Sequence, residues 1–151
     1  AVKMMTGSGI PATAEKREQA DYSHYDTILY GGGVYAGTIG GIKWFRKKLP
    51  ELSGKKIGVF ATGSRPEHTP GLEKEWKQNF TPEEWGRIKV FYMQGGLAYE
   101  KMGAADKLLM SMFREMMKKK EGEDSEMYQA ISRSYDNTSR ESLKGLLEWL
   151  K

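Results

Sequence analysis

Residues 26–33 read DTILYGGG, and this stretch decides the fold class. The apolar run Thr27–Tyr30 is too short for a helix and is typical of a buried strand, which we expect to end at the glycines Gly31–Gly33. The apolar residues of the following stretch, Ile42–Leu49, recur at helical spacing, with lysines on the opposite face. The order is therefore strand, glycine-rich loop, helix.

The same order occurs twice more along the chain. Lys55–Thr62 reads KKIGVFAT and Lys89–Gln94 reads KVFYMQ, and each strand-like run is followed by glycine. Between them, Thr81–Glu84 is typical of a helix start, with threonine at the cap and acidic residues in the first turn. Strands that alternate with helices at this spacing predict an α/β fold with a parallel sheet and helices on both faces. We expect residues 1–151 to form a single domain.

Composition excludes several classes of function. The chain has no cysteine, which excludes disulfides, thiolate catalysis and sulfur-ligated metals. Its two histidines, His24 and His68, lie far apart without an acidic ligand pattern, so we predict no metal site. The formal net charge of +4 is mild, without the basic stripe that would indicate nucleic-acid binding. No apolar run approaches the roughly 18 residues that span a bilayer, and no signal peptide is evident. We therefore expect a cytoplasmic protein.

Glycine follows the predicted strands at their carboxyl ends, where parallel α/β sheets bind ligands. A single glycine there is explained as well by a tight turn. Two such loops, Gly31–Gly41 and Thr62–His68, together favour a shelf for a flat ring or a phosphate, because glycine lets backbone amides approach a ligand closely. Tyr35, in the middle of the first loop, would stack on such a ring or, alternatively, cover the sheet edge.

The stretch YDTILYGGGVYAGTIGGIKWF, residues 25–45, resembles the third strand and flavin loop of flavodoxins. KKIGVFATGSRPE, residues 55–67, is similar to their fourth strand and second flavin loop. Residues 91–119 resemble the fifth strand, followed by a basic amphipathic insertion. The resemblance is closest to the group that contains the menaquinone-dependent protoporphyrinogen oxidase. It implies a flavodoxin-like three-layer sandwich, with a parallel sheet in the order 2-1-3-4-5 and helices on both faces.

The resemblance also implies non-covalently bound FMN as the cofactor, used for one- or two-electron transfer. Two loops would lie on opposite sides of the isoalloxazine ring. The first comprises Gly32, Gly33, Val34, Tyr35, Ala36 and Gly37, and the second comprises Thr62, Gly63, Ser64 and Arg65.

The resemblance implies an electron carrier or a small oxidoreductase, whose partner would be a redox protein or a small molecule such as a quinone. One alternative is a quinone-linked enzyme similar to protoporphyrinogen oxidase, and another is a flavin-free interaction module. His68 and Arg65 would influence the flavin or an anionic substrate, or they are ordinary exposed loop charges. Ser64 lacks the His/Asp setting of a nucleophile, and we assign no catalytic residue.

The N-terminal region departs from the flavodoxin pattern, in which a first strand leads into a Ser/Thr-Gly loop that grips the FMN phosphate. In one interpretation, Val2–Met5 is the second strand of the family, and the first strand with its phosphate loop lies upstream of this sequence. In the other, Val2–Met5 is the first strand, Thr6–Gly9 is a degenerate phosphate loop and the edge strand is lost. Loss of a central strand would leave backbone groups unpaired. Thr13–Ala20 has almost no apolar face to cover a sheet, however, and this favours the first interpretation.

The C-terminal third is predicted to be helical, with a basic helical insertion at about residues 97–128. Its methionine-rich stripe is typical of a core, but it also suits an adaptable surface for a partner, a porphyrin or a membrane. Residues 97–120 hold six basic and three acidic side chains, so we expect weak contact with an anionic membrane surface through this segment. Thr138 and Glu141 predict a capping box for the last helix.

Overall fold

The computed structural model describes residues 2–6 by their backbone and residues 21–151 with their side chains. The strands are β1 (Val2–Thr6), β2 (Thr27–Tyr35), β3 (Thr38–Ile39), β4 (Lys56–Gly63), β5 (Ile88–Gln94), β6 (Gly96–Leu97) and β7 (Tyr135–Asp136). The α-helices are α1 (Ile42–Lys48), α2 (Leu72–Lys77), α3 (Pro82–Arg87), α4 (Ala104–Glu121), α5 (Glu126–Ile131) and α6 (Lys144–Leu150). Single 3₁₀ turns lie at Leu49–Leu52, Tyr99–Lys101 and Glu141–Leu143.

The main sheet is mostly parallel. Its strands follow the order β1-β2-β4-β5, and the short β3 pairs antiparallel with β2. The register between β2 and β4 runs from Thr27 opposite Lys56 to Gly33 opposite Thr62. Helices connect β2 to β4 and β4 to β5, as a parallel sheet requires. The predicted α/β fold is confirmed.

Each face of the sheet carries its own core, because successive side chains of a strand point to opposite faces. On one face, Tyr30 of β2 is fully buried and its ring stacks on Phe45 of α1, with the ring centroids 4.5 Å apart. On the other face, Leu29 of β2 packs with Leu146 of α6, beside the partly buried Trp149. Helices therefore cover both faces of the sheet, as expected.

The glycines after Tyr30 do not end the strand, which corrects the sequence prediction. β2 continues through Gly31–Gly33 to Tyr35, and these glycines pair in register with Phe60, Ala61 and Thr62 of β4. Glycine stands at Gly31 because the Phe60 ring fills the space of its side chain, and an added Cβ would lie 1.9 Å from Phe60 Cζ. Packing against Phe60 therefore explains this glycine, although glycine more often marks the end of a strand.

β1 lies beside β2, with Val2 opposite Thr27 and Thr6 opposite Gly31. In the order 2-1-3-4-5, the neighbour of the third strand is the first strand. The pairing therefore places Val2–Met5 where the second interpretation put it, and the preference for the first interpretation was wrong on this point. Residues 7–20, which include most of the candidate phosphate loop and the stretch Thr13–Ala20, lie outside the described residues.

Packing divides the chain into two compact units. The first consists of the chain as far as Gln94 together with Ser139–Lys151, and it contains the main sheet. The second, Gly95–Thr138, contains α4 and α5 and the two-stranded β6–β7 ladder. The second unit overlaps the insertion predicted at about residues 97–128.

Candidate functional site

The two candidate loops are neighbours at the carboxyl edge of the main sheet. Gly33 near the end of β2 pairs with Thr62 near the end of β4. One residue further, a Cβ added to Gly63 would lie 3.4 Å from Val34 Cβ. Thr6, the last residue of β1, pairs with Gly31 and so lies at the same edge. Three chain segments that the sequence singled out therefore meet there.

The first loop is a β-hairpin. Tyr35 pairs with Thr38 across a two-residue turn formed by Ala36 and Gly37, whose φ angles are 47° and 78°. Two successive positive φ angles suit the right-handed twist of the flanking strands, and of the two residues only Gly37 adopts its angle without strain. The hairpin carries Tyr35 beyond the sheet, where its side chain is 55% exposed. An exposed aromatic ring on a tight turn is a surface on which a flat molecule can stack.

Gly32 and Gly33 have different surroundings although they are adjacent. A Cβ on Gly32 would lie 2.8 Å from the carbonyl oxygen of Gly40 and 2.9 Å from Ile39 Cγ2, so packing within the hairpin explains this glycine. A Cβ on Gly33 would have only Thr62 Oγ1 nearby, at 4.0 Å, and Gly33 is exposed. Neither crowding nor a positive φ explains glycine at position 33. Its side of the sheet edge is open to a ligand.

A buried amide holds the hairpin. Asn79 is 6% exposed; its Oδ1 accepts a hydrogen bond from the Ile39 amide at 3.0 Å, and its Nδ2 donates to the Gly37 carbonyl at 3.0 Å. The sequence prediction missed Asn79. Asn79 is one of three polar residues, Lys77–Asn79, between the apolar Trp76 and Phe80, and this pattern does not distinguish it from its two neighbours.

The second loop is fixed by α2 and β5. The Arg65 guanidinium forms an ion pair with Glu75 of α2. The Tyr92 hydroxyl donates to the Arg65 carbonyl at 2.7 Å, and the Tyr92 ring stacks on Trp76 with centroids 4.9 Å apart. The positive charge of Arg65 is therefore already paired within the protein, which makes its role structural in this geometry.

Glu67 attaches the end of the second loop to the rest of the first unit. Its carboxylate accepts hydrogen bonds from the Ser142 hydroxyl and from the Gln94 amide, the latter at 3.1 Å. The Ser142 hydroxyl is the larger influence and, with the Gln94 amide, holds the pKa of Glu67 below its usual value of 4.5. His68, the next residue, is exposed to solvent.

In the second unit, α4 presents large apolar side chains to solvent. Leu108, Leu109, Met112 and Met116 are all exposed, and Met117 on the opposite side of the helix is buried. Three lysines, Lys118–Lys120, occupy its last turn. Among the residues that the structure describes, no helix has the length and apolar character needed to cross a membrane.

Comparisons with known proteins identify the family. No significant match was found among curated proteins or among solved structures. A family model, the flavodoxin domain, matches residues 3–125, a span that includes both loops and runs from β1 past the end of α4. The chain belongs to the flavodoxin domain family.

Proposed function

We propose that the chain binds FMN between the β2–β3 hairpin and the loop Thr62–Arg65, and that it acts in electron transfer or as a small oxidoreductase. The observation that carries the proposal is Gly33. Neither packing nor a positive φ explains this glycine at the carboxyl edge, and its open side adjoins Thr62 of the neighbouring strand. Glycine at such a place permits a ligand ring to approach the backbone closely.

The residues present fit a flavin. A planar tricyclic ring needs flat surfaces and a few backbone hydrogen-bonding groups, and the edge offers Tyr35 as an exposed aromatic surface. The turn Ala36–Gly37 and the loop Thr62–Arg65 bring main-chain amides and carbonyls to the same edge. Bound FMN would supply the one- or two-electron chemistry, and these residues would bind and orient the ring. Flavodoxin domains generally bind flavin, which supports the same proposal.

Titration of the purified protein with FMN tests the proposal. We expect saturable quenching of flavin fluorescence at one FMN per chain, and a parallel titration with riboflavin measures how much of the affinity comes from the phosphate. A colourless protein that fails to bind added FMN would overturn the proposal and would favour a flavin-free interaction module.

A second candidate function is a quinone-linked oxidase similar to the protoporphyrinogen oxidase group. The exposed apolar stripe of α4 favours it over a simple carrier, because Leu108, Met112 and Met116 offer an adaptable surface for an apolar substrate or a membrane. We propose that the lysines at the end of this helix bring it weakly to an anionic membrane surface. Flavin-dependent oxidation of protoporphyrinogen with a quinone as acceptor would support this function. Absence of turnover with FMN bound would remove it.

A further inference from the structure

Both candidate loops are attached to one short segment, which consists of α2 and the two residues after it, Leu72–Asn79; we refer to it as the α2 segment. Asn79 bonds the hairpin on one side. Glu75, one helical turn earlier, pairs with Arg65 of the second loop. The backbone carbonyl of Glu75 also accepts from Asn79 Nδ2 at 3.2 Å, so the two attachments are directly connected.

The position of Asn79 requires an amide. Ile39 presents an N–H group, whereas Gly37 and Glu75 present carbonyl oxygens, so the side chain must accept at one atom and donate twice at the other. A carboxylate can only accept, and an alkyl side chain can do neither. A side chain without an amide would leave at least one of these groups without this partner, either the buried Ile39 amide or the partly buried carbonyls of Gly37 and Glu75, which is costly.

These hydrogen bonds act on the part of the hairpin that proposed ligand binding uses. Gly37 and Ile39 lie at and just after the turn that follows Tyr35. Ala36 is held at a φ of 47°, which an alanine seldom adopts unless the surroundings impose it. The Asn79 bonds are well placed to impose that conformation and thereby to fix where Tyr35 stands.

The second loop is held from the same segment by two further contacts. Trp76 of the α2 segment stacks on Tyr92, and the Tyr92 hydroxyl donates to the Arg65 carbonyl. The Arg65 backbone and its guanidinium are thus both oriented by the α2 segment or by a ring stacked on it.

We propose that Asn79 is a positioning residue of the flavin site, which fixes the hairpin relative to the loop Thr62–Arg65 before the ligand arrives. The inference rests on the proposed FMN binding. Pre-ordered loops lower the entropy lost when a ligand binds, so the role of Asn79 is to raise affinity without touching the ring.

Three variants test this role: Asn79→Asp, which keeps the size but loses the donor, Asn79→Leu, which loses both functions, and Leu146→Ala as a control. Leu146 is buried on the opposite face of the sheet, in a cluster with Leu29 and Met93 that includes no residue of the hairpin or of Thr62–Arg65, so its variant serves as a control for lost stability alone. Each protein is characterised by its melting temperature, by its Kd for FMN and, without FMN, by amide hydrogen exchange at Ile39.

We expect both Asn79 variants to bind FMN about tenfold more weakly than the wild type, which corresponds to about 1.4 kcal/mol. Leu146→Ala should keep the wild-type Kd. Exchange at Ile39 should accelerate in both Asn79 variants by more than the loss of global stability explains, whereas in Leu146→Ala it should accelerate by no more than that loss. If the wild type binds FMN and the Asn79 variants bind equally well, or lose no more than Leu146→Ala, the positioning role is overturned while FMN binding stands. If the wild type itself does not bind FMN, the proposed function fails together with the role of Asn79 in it, and unchanged exchange at Ile39 would also remove its role in the hairpin.

Discussion

Gly31 and Gly33 are two residues apart on β2, yet the space that a side chain would occupy is filled at one position and open at the other. The space beside Gly31 is filled by the Phe60 ring, and the space beside Gly33 is open next to Thr62. A glycine required by packing affects stability when it is replaced. A glycine required by a ligand affects binding instead.

Substitutions at these two positions separate the two requirements. We expect Gly31→Ala to lower the free energy of unfolding by about 1–3 kcal/mol, because Phe60 must move. Gly33→Val should change stability by only about 0.5 kcal/mol but weaken FMN binding by about tenfold or more, or about 1.4 kcal/mol. Thermal unfolding and FMN titration measure the two effects.

Gly86→Ala, at an open position of α3, is the control that should leave FMN binding unchanged. Wild-type affinity in Gly33→Val would show that no ring approaches this edge.

Tyr35 provides a second test at the residue scale. Removal of the exposed ring in Tyr35→Ala should weaken FMN binding about fivefold, for a stacking contribution of about 1 kcal/mol. Tyr35→Phe keeps the ring and should bind like the wild type. Equal loss in both variants would assign the effect to the hydroxyl and not to stacking.

The sequence predicted which residues lie at the carboxyl edge but not what each of them does there. The glycine runs and Tyr35 were visible because glycine clusters interrupt an apolar pattern. The Phe60 ring beneath Gly31 and the amide of Asn79 beside the hairpin depend on contacts between residues far apart in the chain. No local pattern reports such contacts.

At the scale of elements, the loop after β4 is attached to the rest of the first unit through Glu67. Because the Ser142 hydroxyl and the Gln94 amide lower the pKa of this carboxyl in the folded state, the folded state holds the proton less tightly than the unfolded state does. The resulting stabilisation is fully present above pH 4.5, the usual pKa, and is lost as the pH falls through the lower folded pKa.

The pH dependence of unfolding tests this attachment. Glu67→Gln should be less stable than the wild type at neutral pH, and the difference in unfolding free energy should narrow as the pH falls below 4.5. The difference in unfolding free energy between Ser142→Ala and the wild type should also narrow below pH 4.5, because this variant removes the larger influence on the Glu67 pKa. Denaturant unfolding at several pH values measures both. A difference between Glu67→Gln and the wild type that is constant with pH would contradict the attachment.

The exposed apolar stripe and the terminal lysines of α4 predict weak binding to anionic membranes. The protein should co-sediment weakly with phosphatidylglycerol vesicles and not with phosphatidylcholine vesicles, and added salt should weaken the binding. Leu108→Glu and Met112→Glu should abolish it, because they place charge in the exposed apolar stripe. Leu147→Glu makes the same exchange at an exposed leucine of α6 and should bind like the wild type. Unchanged binding in the α4 variants would assign the contact to another surface.

Sequence patterns predicted helices and strands well where the signal is local. The capping box at Thr81 is present, with Glu84 bonding back to the Thr81 amide, and it starts α3 as expected. The capping box predicted from Thr138 and Glu141 is wrong. The Glu141 amide bonds to the Ser139 hydroxyl, and the last helix begins only at Lys144, after a 3₁₀ turn. Neighbouring serines and threonines compete for the same amides, so composition alone does not decide which of them forms the cap.

At the scale of the whole molecule, the order of strands brings three segments to one edge. β1, β2 and β4 are parallel neighbours, so Thr6, Gly33 and Thr62 all lie near the same ends of their strands. The sequence predicted this common edge from the alternation of strands and helices. It did not fix the neighbour of β2, because both interpretations of Val2–Met5 agree with the same apolar residues and differ only in long-range pairing.

The central claim is that the hairpin and the loop after β4 contact the flavin ring, and backbone amide chemical shifts during an FMN titration test it most directly. We expect the largest changes at residues 33–37 and 62–65, with little change along α4. A titration that leaves these two loops unchanged, or that moves only amides elsewhere in the chain, would contradict the claim.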